Sequence, residues 1–130
     1  MFDRRHFLAA SVLALAVLPV AALAASPVPF TPEAFAEAQQ AQKPILIHVH
    51  ATWCSTCKAQ SPVILGLEAK PEYKNLVVFK VDFDDQKDVV AKLGVRMQST
   101  LIVFKGGKET GRSVGVTDPA AIEALARRAL

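Results

Sequence analysis

The chain's only two cysteines, Cys54 and Cys57, stand in the run ATWCSTCKAQSP with Ser55 and Thr56 between them. Thiols at this spacing can form a redox couple, supply half of a metal clamp, or close a structural staple. A loop this small constrains the unfolded chain too little to stabilise much, which argues against the staple. A redox couple needs one thiol that ionises readily and a second within reach of the first sulfur. The thiolate is the nucleophile, and thiols in such motifs move from about 8.5 to anywhere in about 3.5–7.5. In that reading Cys54 is open to solvent, attacks a partner's disulfide and forms a mixed disulfide. Cys57, one turn further in, then attacks that bond and releases the reduced partner. His48 and His50 lie just upstream. His48 is a candidate base for Cys57, because a neutral imidazole can take a thiol proton. The same residues support an alternative, in which Cys54, Cys57, His48 and His50 form a tetrahedral zinc or copper set.

The elements that position these residues follow from the local pattern. Residues 45–51, ILIHVHA, form a β-rich run bounded by turn signals, as a buried strand does. Strand alternation puts Leu46, His48 and His50 on one face. Residues 55–70 read as a helix with Pro62 inside it and a kink there. Cys54 therefore falls between the end of a strand and the start of a helix. Unpaired N–H groups and a partial positive charge at that helix end favour a thiolate. Upstream, Thr31 caps a helix opening at Pro32, preceded by the Pro-rich lead ASPVPF. Downstream come a strand at 76–83, a short helix ended by Gly94, a strand at 100–105, a GG hairpin at 106–107 and a weaker strand. Asp118 caps a last helix with Pro119 in its first turn. The order α-β-α-β-α-β-β-α predicts an α/β fold, a mixed four-stranded sheet covered by helices on both faces. Reaction sites in open α/β sheets favour the edge where Cys54 sits.

The first residues predict export. Arg4 and Arg5 precede an apolar run, Pro19 and the small-residue stretch Ala22-Leu23-Ala24. That layout reads as a cleaved signal over residues 1–24, with one domain over 25–130. RRHFL resembles a twin-arginine signal, although Asp3 and Ala9 depart from the usual pattern. The competing expectation is a retained membrane anchor, since residues 7–25 are nearly all apolar. Export places the chain in a periplasm, where a cysteine pair can be a disulfide. The formal net charge of +3 carries no nucleic-acid footprint.

Trp53-Cys54-Ser55-Thr56-Cys57-Lys58 resembles the W-C-x-x-C-K active site of the thioredoxin superfamily, and Pro62 matches its helix proline. LGVRMQSTLIVFKGGKE, residues 93–109, is similar to the segment entering the family's hairpin. KPILIHVHATWCSTCK also resembles the thioredoxin-like domain of membrane disulfide reductases. The resemblance covers nearly all of residues 25–130. It implies a thioredoxin fold and an exported thiol–disulfide oxidoreductase, favoured as a reductase and needing no small cofactor. It also implies exported protein disulfides or dithiols as partners, a membrane electron carrier upstream, and a monomer.

Three positions depart from the family. Ser99 stands where the family has a cis-proline facing the disulfide. The non-proline cis form costs about 2.5–4 kcal/mol, so a trans Gln98–Ser99 bond is favoured slightly over a strained cis one. Ser99 is either a donor to a cysteine sulfur or a tolerated loop residue. His48 stands where the family usually has a buried Asp. Ser55-Thr56 replaces the common Gly-Pro, at positions that tune reduction potential in this family. Trp53 is expected to flank and shield the disulfide, or simply to pack.

Overall fold

The computed structural model describes residues 26–130. The leader predicted over residues 1–24 lies outside them. Among the described residues no helix is long and apolar enough to cross a membrane.

Strand β1 is Val28–Pro29, helix α1 Pro32–Gln40, strand β2 Pro44–His50 and helix α2 Ser55–Glu68. A single 3-10 turn at Pro71–Tyr73 leads to strand β3, Val77–Asp82, and helix α3, Lys87–Lys92. Strands β4, Thr100–Lys105, and β5, Lys108–Val114, form the hairpin before helix α4, Pro119–Arg127. The sheet order is β1-β3-β2-β4-β5. Strands β1 and β2 run parallel to β3, whereas β4 pairs antiparallel with both β2 and β5. The fold is thus α/β, as expected, but the sheet has five strands rather than four.

The additional strand lies in the Pro-rich lead. Val28 and Pro29 stand opposite Phe79 and Lys80, and Phe30 N–H donates to Lys80 O at 3.0 Å. Proline removes a ladder donor, so a strand containing it is confined to an edge. A two-residue strand with a proline therefore shows no strand pattern before its partner is known.

Alternation along β2 divides the core. Ile45, Ile47 and Val49 face a cluster with Phe79, Val81, Ile102 and Phe104, covered by Ala38 of α1 and Val89 and Val90 of α3. Leu46 faces the opposite cluster with Val78, Leu101 and Val103, covered by Ile64 and Leu67 of α2 and Ile122 and Leu125 of α4. Period-two side chains explain why one strand supplies both layers. The predicted caps hold. Thr31 Oγ1 accepts from Ala34 N–H at 3.1 Å, and Asp118 Oδ2 accepts from Ala121 N–H at 3.0 Å. Gly106 turns the hairpin at φ +60°, a region that favours glycine. Gly111 lets α4 approach β5, since a Cβ there would lie 2.9 Å from Leu125 Cδ1.

Candidate active site

Strand β2 delivers its last residues to the edge of the sheet, and a tight turn converts the chain into α2. Cys54 N–H donates to Ala51 O at 3.1 Å, and Cys54 is the N-cap of α2. Its Sγ accepts from Cys57 N–H at 3.0 Å. A sulfur in that place satisfies one of the free N–H groups of the helix start, and negative charge on it is stabilised there. Cys54 and Cys57 are joined as a disulfide, with their Cα atoms 5.3 Å apart. Ala51 and Phe83 pack against the pair.

Exposure differs from the expectation. Cys54 was expected to be open to solvent, yet it is only 3% exposed, and Cys57 is fully buried. Capping turns the Cys54 sulfur inward onto the Cys57 N–H, which explains the low figure. Ser55 is exposed and Thr56 half-buried. Trp53, next to Cys54 in the chain, is 60% exposed, and its Nε1–H donates to Asp84 Oδ2 at 2.8 Å. Asp82 Oδ1 in turn accepts from the N–H groups of Asp84 and Asp85, each at 2.9 Å. The acidic run is a turn that holds the indole.

Ser99 is buried beside the pair. The one cis peptide bond among the described residues is Ser26–Pro27, so Gln98–Ser99 is trans. Ser99 reaches this conformation at φ +61°, in the left-handed region. Its N–H donates to Val49 O at 2.8 Å. The same carbonyl lies 3.8 Å from Cys57 Sγ. Proline has no N–H and cannot adopt this φ, so serine changes both the shape of the loop and what it offers. The Ser99 hydroxyl donates to Gln98 O at 2.5 Å rather than to a sulfur.

His48 and His50 share a face as expected, their rings edge to face with centroids 5.4 Å apart. His48 is buried, and its Nε2 lies 3.0 Å from Gln60 Oε1. Burial pushes His48 down to about 4, with the charges of His50 and Lys80 acting in the same direction and the Gln60 hydrogen bond opposing. His50 is also lowered, first by burial and then by Lys80, against Asp82. An imidazole held near 4 is a weak base, and its Nε2 is already engaged with Gln60. His48 is therefore a hydrogen-bonding group rather than a strong base for Cys57. The metal alternative meets the same geometry. Among the described residues no three His, Cys, Asp or Glu side chains converge on a point that could hold an ion. His48 also has one ring nitrogen committed to Gln60.

A model of the family described as Thioredoxin matches residues 26–128. The chain belongs to the thioredoxin family. A thioredoxin of Aspergillus fumigatus is 39% identical over 82 residues, 63% of this chain and 74% of that one. Thioredoxin-1 of Saccharomyces cerevisiae is 33% identical over 99 residues, 76% of this chain and 94% of that one. Among solved structures, Trxlp from Edwardsiella tarda matches with a TM-score of 0.72 at 42% identity, over 75% of this chain and 95% of that one. Thioredoxins act on protein disulfides. Membership together with the Cys54–Cys57 disulfide makes this chain a thiol–disulfide oxidoreductase.

One thioredoxin-site residue escaped the sequence reading. Gln60 is fully buried on the inner face of α2, in register with Cys57, Ile64 and Leu67. An amide inside an otherwise apolar helical stripe was the available signal. Gln60 Nε2 donates to Ser99 O at 3.1 Å and to Val116 O at 2.9 Å. Behind α2 lies an open cavity of about 360 Å³ lined by Ser26, His48, Ser61, Pro62, Glu68 and Lys80.

Proposed function

We propose that the protein is an exported reductase of disulfides in other exported proteins, supplied with electrons by a membrane carrier. One observation carries the reading: the Cys54–Cys57 disulfide caps a helix at the end of a buried strand, with Sγ on a backbone N–H. In the reduced chain the Cys54 thiolate attacks one sulfur of the target and expels the other as a thiolate. Cys57 then attacks Cys54 Sγ in the mixed disulfide and expels the second target thiolate. Two electrons pass to the target, the site becomes a disulfide, and the target thiolates take up protons. The apolar stretch behind Arg4 and Arg5 supports export to a periplasm, with cleavage near Ala24. Outside the cytosol a soluble reductant pool is lacking, so regeneration falls to an electron carrier in the membrane.

Two measurements on the full chain expressed in a bacterium test this. The N-terminus of the periplasmic fraction, read by mass spectrometry, should begin near Ala25, and Cys57→Ser should accumulate mixed disulfides with periplasmic proteins. A chain confined to the cytosol with its leader intact overturns the export reading. Equilibration in glutathione or dithiothreitol buffers gives the direction. A potential near about −270 mV supports a reductase, and one near about −120 mV makes the protein an oxidant instead.

A further inference from the structure

Gln60 connects three separate segments around the disulfide. Its carboxamide meets His48 on β2, Ser99 in the loop before β4, and Val116 after β5. Backbone carbonyls only accept, so the amide nitrogen must face Ser99 O and Val116 O and spend both hydrogens there. Oε1 is then the atom turned to the imidazole. An amide oxygen cannot donate, so His48 Nε2 must carry the ring proton, and Nδ1 keeps the lone pair of the neutral ring. The His48 ring makes no other hydrogen bond among the described residues, and His48 lines the cavity behind α2.

The same amide braces the loop. Ser99 sits at φ +61°, a conformation that costs a non-glycine residue energy and needs fixing from outside. Its N–H is held by Val49 O, and its carbonyl accepts from Gln60 and from Gly115 N–H at 3.0 Å. The loop residue that shares the Val49 carbonyl with Cys57 Sγ is thus tied to the buried imidazole through one side chain. The charged and titratable groups about His48 are His50 on the same strand, Lys80 on β3 and Glu68 on α2, with Lys58 and Asp82 acting on His50.

We propose that Gln60 is a positioning residue of the redox site, which holds His48 as the Nε2–H tautomer and fixes the Ser99 loop beside the disulfide. The inference rests on the thiol–disulfide reading, since a positioned loop matters only if a target disulfide docks there. Protonation of His48 adds a hydrogen at Nδ1 and leaves the bond to Gln60 in place, so the brace persists in both charge states.

The test begins with the unaltered chain. Nitrogen NMR of the full, labelled, oxidised protein should show the Nε2–H tautomer for His48 at neutral pH. An Nδ1–H tautomer overturns the proposal without any variant. Gln60→Leu removes all three hydrogen bonds, and Gln60→Glu keeps an acceptor for His48 while losing both donors. Each should raise KM for insulin disulfides roughly tenfold, with a smaller change in kcat. Gln60→Glu should retain Nε2–H on His48. Wild-type KM in both variants overturns the positioning role. Alkylation of Cys54 in the reduced variants should keep its wild-type rate. Insulin reduction that survives Cys54→Ser sinks the underlying thiol mechanism, while the tautomer result stands by itself.

Discussion

Acid should destabilise this fold through His48 in a way that can be isolated. His48 is 4% exposed, and burial together with His50 and Lys80 lowers its imidazole from 6.5 to about 4. The unfolded chain therefore binds a proton that the folded chain refuses between these two values. Stability from this group is intact above the unfolded value, falls as pH drops through the window, and levels off below the folded value. Lowering from 6.5 to about 4 corresponds to a limit on the order of 3 kcal/mol, of which about 2 kcal/mol is lost between about pH 7 and about pH 5. The comparison is His48→Gln, which offers Gln60 Oε1 a donor but cannot titrate. Urea unfolding of both oxidised proteins across this range gives two stability curves. Carboxylate protonation is common to both and largely cancels in the difference. The difference, wild type minus variant, should decline by about 2 kcal/mol as pH falls from about 7 to about 5. A flat difference curve would mean that His48 titrates alike in both states, and the argument from burial would be wrong.

Other outcomes follow from single contacts. Cys54→Ser should abolish insulin disulfide reduction, and Cys57→Ser should trap mixed disulfides detectable on non-reducing gels. Ser99→Gly relieves the left-handed strain but loses a side-chain hydrogen bond, so its unfolding free energy should stay within about 1 kcal/mol of wild type. Ser99→Pro removes the donor to Val49 O and cannot adopt φ +61°, and denaturant melts should show a loss of about 3 kcal/mol or more. Gly111→Val drives side-chain atoms into Leu125 and Arg128 of the C-terminal segment, and should lower stability by about 1–3 kcal/mol in the same assay. Asp118→Ala removes the α4 cap and should cost about 1 kcal/mol in thermal or urea unfolding.

The sequence by itself determined what depends on neighbours along the chain. Alternation in residues 45–51 predicted β2 and placed His48 and His50 on one face, because side-chain direction in a strand is a local property. Thr31 and Asp118 announced their helices because a cap bonds an N–H three residues on. The W-C-x-x-C run, lying between a strand and a helix, carried the redox reading and the family. Tertiary structure decided whatever depends on a partner far along the chain. Strand β1 is held by β3, and its proline concealed it until that partner was in place. Trp53 is held by Asp84, 31 residues away, a contact that no local pattern encodes. Burial of Cys54 required Ala51 and Phe83 to close on it. Gln60 reaches 12, 39 and 56 residues along the chain, and no local pattern encodes three such bonds. The left-handed Ser99 belongs with these. Its own dihedral preference opposes that conformation, and the hydrogen bonds from β2 and α2 impose it.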